Sequence, residues 1–179
     1  SHPICHTHDT GQGHPECASR LSAIEDKLLL SGLFDFLRSV DAPEVTTEQL
    51  LRAHSAEHLA KIDAMMPKKG YARLDQDTVI SPESGAAARR AAGAVVSAVD
   101  MIMDGTIENA FCGVRPPGHH AERDRALGFC LYNNIAVGVT HALQEHKLKR
   151  IAVVDFDVHQ GNGTEDILIG DDRVLYCSI

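Results

Sequence analysis

The stretch Ile151-Ala-Val-Val-Asp155-Phe-Asp157-Val-His159-Gln-Gly161-Asn162-Gly163-Thr164 decides how the rest of the chain is read. It opens as an apolar β-type run and closes as a polar turn containing glycine. Side chains alternate faces along a strand, so Ala152, Val154, Phe156 and Val158 are expected on one face and Asp155, Asp157 and His159 on the other. A strand that buries its apolar face gains nothing structural by lining the other with two carboxylates and an imidazole. Carboxylate oxygens and imidazole nitrogens are common ligands of zinc and related divalent ions. The plainer reading is a half-exposed strand with a solvated acidic face. Against it, the unbroken Ile-Ala-Val-Val suggests a parallel strand covered on both faces, and so a metal site at its end.

Working outward, Ala110-Phe-Cys-Gly-Val114 reads as a second buried strand and runs into Arg115-Pro-Pro-Gly-His119-His120. After a loop, Gly128-Phe129-Cys130 leads to Asn133 or Asn134 as the cap of a helix from Ile135 to about Glu145. Strand, helix and strand in that order make a right-handed parallel crossover. Thr164-Glu165-Asp166 opens a short helical connection to a closing strand, Arg173 to Ile179. Ligands in open α/β sheets collect beyond the carboxyl ends of the strands, which places His119, His120, Phe129, Asp157 and His159 on one rim.

Earlier in the chain, His6, His8 and His14 lie in a polar, glycine-rich stretch and read as solvated loop residues. Leu21, Ile24 and Leu28 have helical spacing, with Gly32 where a helix stops. Thr46-Thr-Glu-Gln49 matches a capping box, and Ser55 can cap the helix carrying Leu59 and Ile62, which ends before Pro67. Lys68 to Thr78 reads as a charged loop whose Asp75 and Asp77 are surface charges. Ser81-Pro-Glu supplies a cap for a long alanine-rich helix with Ala88, Ala92, Val95, Val99 and Met103 on one stripe.

Composition narrows the class. With 179 residues, 44% hydrophobic and 23% charged, the chain suits one globular core. A net charge of −8 argues against direct nucleic-acid binding or an anionic-membrane partner and suits a cationic substrate. The five cysteines are scattered without a C-x-x-C pair, and Cys112, Cys130 and Cys177 sit in apolar runs as small hydrophobes. A reducing, cytoplasmic setting is expected, with no signal peptide and no spanning segment. The chain begins abruptly and stops on the apolar Val174-Leu-Tyr-Cys-Ser-Ile179, so a longer polypeptide is expected.

The pieces suit metal-assisted amide hydrolysis. Asp157 and His159 offer two ligands, and a bound metal lowers the pKa of water to roughly 7. A nearby imidazole can take that water's proton and deliver it to a leaving amine, while Asp155 holds one histidine in its tautomer.

Taken together, Arg115-Pro-Pro-Gly-His119-His120-Ala, Gly128-Phe129-Cys130-Leu-Tyr-Asn-Asn and Val-Asp155-Phe-Asp157-Val-His159-Gln-Gly-Asn162-Gly-Thr resemble the histone deacetylase family, in particular its class II and bacterial amidohydrolase-like members. Gly13-His-Pro-Glu16 and Asp75-Gln-Asp-Thr78 fit the same pattern, so the resemblance covers essentially the whole chain. It implies an α/β, arginase/deacetylase-like three-layer fold with a mainly parallel sheet, residues 1–179 being the N-terminal part of a single deacetylase domain. It implies one catalytic zinc held by Asp157 and His159, with His120 as general base and acid. His119 would be its electrostatic neighbour paired with Asp155, and Asn162 the partner of the second histidine. Gly128 and Phe129 match the tunnel wall that grips an acyl-lysine stem, and Asp155, Asp157, His159 and Ser178 match a structural potassium site.

The family's third zinc ligand, its transition-state tyrosine or histidine and a second tunnel aromatic fall later than Ile179. Residues 1–179 alone are therefore expected to be inactive, to hold zinc weakly and to self-associate. Four alternatives stand beside a zinc-dependent acetyl-lysine deacylase. One is an acetylpolyamine hydrolase and another acts on a different small amide. A third is a two-manganese ureohydrolase, which wants more carboxylates than this strand offers. The last is an inactive deacetylase-like binding module. A homo-oligomer is a further expectation.

Overall fold

Capping chemistry sets where the helices begin, and apolar stripes decide which faces they bury. The computed structural model describes residues 1–179 and begins with the helices α1 (Ile4–Thr7), α2 (Ser19–Leu30), α3 (Thr47–Leu51) and α4 (Ala56–Met65). The short strands β1 (Ala72–Arg73) and β2 (Val79–Ile80) follow, then α5 (Ser84–Met103) and α6 (Asn134–Gln144). The chain closes with β3 (Ile151–Asp155), α7 (Asn162–Leu168) and β4 (Val174–Ser178).

At α3 the Thr46 hydroxyl accepts the Gln49 N–H while the Gln49 side chain accepts the Thr46 N–H, a reciprocal cap. Ser55 accepts the His58 N–H at the start of α4, and Asn133 accepts the Ala136 N–H at the start of α6. The core lies between these helices and the sheet, with Leu50, Ile62, Ile80, Leu131, Tyr132 and Val137 fully buried. Gly138 lets α6 close on α5, since a Cβ there would come 2.5 Å from Val95 Cγ1.

The larger sheet is the parallel pair β3–β4, in register from Ile151 opposite Val174 to Asp155 opposite Ser178, with α7 as the crossover. The β1–β2 hairpin is separate and antiparallel. No helix is long and apolar enough to cross a membrane.

Several expectations are corrected. Residues 110–114 are not a strand, and the parallel crossover is β3–α7–β4 instead of one starting at Ala110. A strand exists only as part of a ladder, and no backbone hydrogen bond joins 110–114 to any other segment. The strand at Ile151 ends at Asp155, so Asp157 and His159 occupy the following turn.

Its faces also carry the reverse burial. Ile151, Val153 and Asp155 face the core side, while Val154 points outward and Phe156 and Val158 are 85% and 87% exposed. Alternation separates two faces, but only the tertiary packing decides which one is covered. Of the α2 stripe only Leu21 is buried, with Ile24 exposed. Of the expected α5 stripe Ala88 and Ala92 are buried, but Val95 and Val99 are only half-buried and Met103 is exposed, the buried line passing instead through Ala87, Ala91 and Val96. Ser81 does not cap α5, which starts at Ser84; the Ser84 hydroxyl instead accepts the Ser81 N–H.

Asp75 organises its loop instead of standing as a free surface charge, accepting the N–H groups of Asp77 and Thr78. Of the three cysteines in apolar runs only Cys130 is buried, and burial pushes its thiol up to about 12. Cys112 is half-buried and Cys177 exposed.

His8 departs furthest from the solvated-loop reading. It is buried, with Nδ1 2.7 Å from the Ser84 hydroxyl and Nε2 3.4 Å from Glu16 Oε2. Beside it Arg115 donates to both oxygens of Glu16, at 2.5 and 2.7 Å, and to the carbonyls of Cys5 and His8. Burial alone would raise the Glu16 carboxyl, but the contacts from His8 and Arg115 outweigh it and hold the group down at about 2 against an ordinary 4.5.

A carboxyl so depressed stabilises the fold fully above its unfolded value near 4.5 and loses that contribution as pH falls towards 2. The contribution is on the order of 3 kcal/mol. Glu16→Gln is expected to cost about 3–5 kcal/mol at neutral pH by leaving Arg115 buried without its counter-charge. It should also flatten the stability profile between pH 4.5 and 2. Urea titrations across that range measure both effects.

Candidate active site

Two backbone constraints bring the polar side chains together at the carboxyl end of β3. The Thr164 N–H at the start of α7 donates to the His119 carbonyl at 3.1 Å. Gly163 lies so close that a Cβ would strike the Ala121 carbonyl and the His120 backbone. Asn133 completes the junction, its amide donating to the Ala121 carbonyl and the Thr164 hydroxyl, each at 3.1 Å. Its own N–H is received by His54 Nε2 at 2.9 Å. Burial and then the neighbouring His58 hold the His54 imidazole down at about 4, so it stays neutral and serves as scaffold.

Two histidine pairs result. His119 Nδ1 lies 2.8 Å from Asp155 Oδ2, which also receives the Tyr176 hydroxyl at 3.3 Å. His120 Nδ1 lies 2.6 Å from Asn162 Oδ1. The Asn162 Nδ2 donates to Glu122 Oε1 at 2.9 Å. A carboxylate only accepts, so Glu122 fixes which way the Asn162 amide faces, and the amide oxygen it presents to His120 only accepts as well. The proton of a neutral His120 therefore sits on Nδ1 and its Nε2 carries a free lone pair. The two rings are 4.0 Å apart.

Asp157 and His159 lie beside them in the turn. The His159 N–H donates to Asp157 Oδ1 at 2.8 Å, and its ring Nδ1 is 3.2 Å from the same oxygen. The backbone N–H of His159, foremost, holds the Asp157 carboxyl below the usual range, so it is anionic at neutral pH. The His159 ring centroid is 6.0 Å from that of His120. One imidazole and one carboxylate turned together are two of the donor types zinc takes, one short of the three protein ligands of a catalytic site.

Gly128 and Phe129 form the wall next to this cluster. Gly128 has a φ of 55°, and a Cβ there would overlap the His120 ring. Phe129 also has a left-handed φ, 69°, with its N–H on the Thr78 hydroxyl and its ring 4.9 Å from His14. Behind His14 an open pocket of about 620 Å³ is lined by residues 10–15, Tyr71 to Arg73 and Val79.

Ser178 Oγ takes the Gly161 N–H, and both Asp155 oxygens already carry protein donors. These contacts lend no support to the potassium site implied at Asp155, Asp157, His159 and Ser178. Sequence reasoning missed Glu122, Tyr176 and Thr78. Glu122 is the informative case, two residues past the histidines, at a distance where a partner could have been sought.

Comparison with known proteins places this α/β frame and its histidine–carboxylate rim in a family. A model of the histone deacetylase domain matches residues 14–179. The chain is 40% identical over 167 residues to the histone deacetylase-like amidohydrolase of Pseudomonas aeruginosa, covering 93% of this chain and 44% of that protein. It is 39% identical over 168 residues to the polyamine deacetylase HDAC10 of Mus musculus, covering 91% of this chain and 25% of that protein. The solved HDA15 HD domain superposes with a TM-score of 0.91 at 38% identity, over 98% of this chain and 51% of that one. The chain belongs to the histone deacetylase family and carries its arginase/deacetylase fold. It spans about half the length, or less, of these relatives.

Gly128→Ala is expected to push the His120 ring away from Asn162 and to destabilise the protein by about 1–3 kcal/mol, through its positive φ and the steric overlap. Histidine ring resonances in NMR and urea unfolding read the two effects; an undisturbed His120 resonance would show that the wall does not set the ring's place.

Proposed function

We propose that the protein containing this chain is a zinc-dependent deacylase that cleaves acetyl-lysine-type amides. The observation that carries this reading is the pairing of His120, its Nε2 lone pair free, with the Asp157–His159 donor pair one ring away. Asp157 and His159 would hold zinc, which when bound polarises an amide carbonyl and lowers the pKa of water to about 7. His120 Nε2 takes a proton from the attacking water and returns it to the amine nitrogen as the C–N bond breaks, leaving acetate and a free amine. His119, oriented by Asp155, lies tilted against His120 and presents a second imidazole to the developing charge. Phe129 and Gly128 line the approach of the apolar stem.

Acetylated polyamine is the second reading. It is favoured by the acidic balance of the chain. Rates on an acetyl-lysine peptide and on an acetylated polyamine separate the two.

In the intact protein the Asp157→Ala, His159→Ala double variant is expected to lose one equivalent of zinc together with amide hydrolysis. Retention of both would overturn the site. His120→Ala should keep that zinc and lose about 10²–10⁴-fold in kcat.

Glu122→Ala releases the Asn162 amide, which can then turn its NH₂ towards His120 and move the ring proton to Nε2. A roughly tenfold or larger fall in kcat is expected, with KM little changed. Glu122→Gln, whose carbonyl can still accept from Asn162, should restore most of the rate. Equal loss in both variants would mean that Glu122 acts only on folding.

A further inference from the structure

At the opposite end of β3, where the strand begins, the last turns of α5 and α6 and the loop after α6 bring three metal-ligating side chains to one point. Asp100 Oδ1 lies 2.6 Å from His141 Nε2 and 2.7 Å from His146 Nε2. The ligand atoms of all three lie within 4.8 Å of one another. The His141 side chain is 5% exposed, that of His146 24% and that of Asp100 48%, so a rigid imidazole sits at the back with a mobile carboxylate at the solvent side.

We propose that Asp100, His141 and His146 form a second binding site, for zinc or a similar first-row divalent ion, separate from the cluster at the end of β3. Two imidazoles and one carboxylate match the ligand types such ions select. Magnesium and calcium, which want oxygen-only shells, are poor matches. Bonds near 2.0–2.1 Å around a tetrahedral ion put ligand atoms about 3.3 Å apart, so the Asp100 oxygen needs to move from each nitrogen by only about 0.6–0.7 Å. Asp100, more exposed than either histidine, can supply that movement by changing rotamer. Water fills the fourth position.

The surrounding charges set the affinity. Arg52 Nη1 lies 3.4 Å from His141 Nδ1, and its guanidinium is held by Glu48 at 3.2 Å and Glu145 at 2.6 Å. An ion on Nε2 moves the His141 proton to Nδ1, and Arg52 must then give up that long contact while keeping its two carboxylates. Arg52 therefore opposes the ion and limits how tightly it binds. The ion would clamp the ends of α5 and α6 just ahead of β3.

The test uses the intact protein carrying Asp157→Ala and His159→Ala, stripped with chelator and titrated with cobalt(II) as the spectroscopic probe and then with zinc. One ion is expected to bind, giving visible cobalt d–d bands and raising Tm. Adding His146→Gln should weaken binding by roughly 100-fold and abolish the Tm rise. Adding Arg52→Met instead should tighten it, a change that a purely hydrogen-bonded clamp between the helices would not produce. Circular dichroism of the metal-free variants confirms that each still folds. Absence of cobalt bands and of any Tm rise with the triad intact would overturn the proposal, as would binding indifferent to His146→Gln. Activity plays no part in these readouts, so the result is independent of the role given to Asp157 and His159.

Discussion

The buried guanidinium of Arg115 holds together what no regular element joins. Residues 110–118 belong to neither helix nor sheet, yet they must present His119 and His120 with atomic precision. Arg115 meets this by reaching both oxygens of Glu16 and the carbonyls of Cys5 and His8, which ties the N-terminal segment to the histidine loop from inside the protein. Removing such a charge from water is costly, and the bidentate carboxylate and two carbonyls offset that cost through nearly ideal geometry. The same contacts hold Cys5 and His8 out of solvent.

On the other flank the histidine loop is secured by Asn133, His54 and the first turn of α7. Each of these is a backbone or amide contact of fixed length. The polar rim is thus positioned by a scaffold of buried hydrogen bonds, while the apolar core beneath it only supports α5, α6 and β3. Polar networks of this kind tolerate little partial loss, because every unsatisfied member carries its own desolvation penalty.

What could be read from the residues was local and chemical. The reciprocal cap at Thr46 and Gln49, the caps at Ser55 and Asn133 and the runs that become β3 and β4 all declare themselves through short-range rules. The expectation that Asp157, His159 and the histidine pair share one rim also rested on short-range pattern, and the structure brings them together there. Burial was not: the period of β3 separates two faces without saying which one a helix covers. Nor was the Arg115–Glu16 pair, whose partners stand 99 positions apart. The Ala110–Val114 run misled because apolar composition describes a strand's side chains, whereas strand formation depends on a neighbour to bond with. Glu122 lay hidden for a different reason, since its effect passes through an amide whose orientation no sequence pattern encodes.

Phe129 carries a left-handed backbone that bulky residues avoid, at a cost on the order of 1–3 kcal/mol, and the Thr78 hydroxyl holds it there. The wall of the candidate site is therefore a spring under load. Any scheme that stabilises this protein by consensus or by thermal selection will find relief at that position, because glycine relaxes the backbone at once. The relaxed protein would lose the aromatic surface against His14. Thermostability and the aromatic wall of the candidate site are thus coupled with opposite sign at a single residue, and an engineer seeking both must find the stability elsewhere.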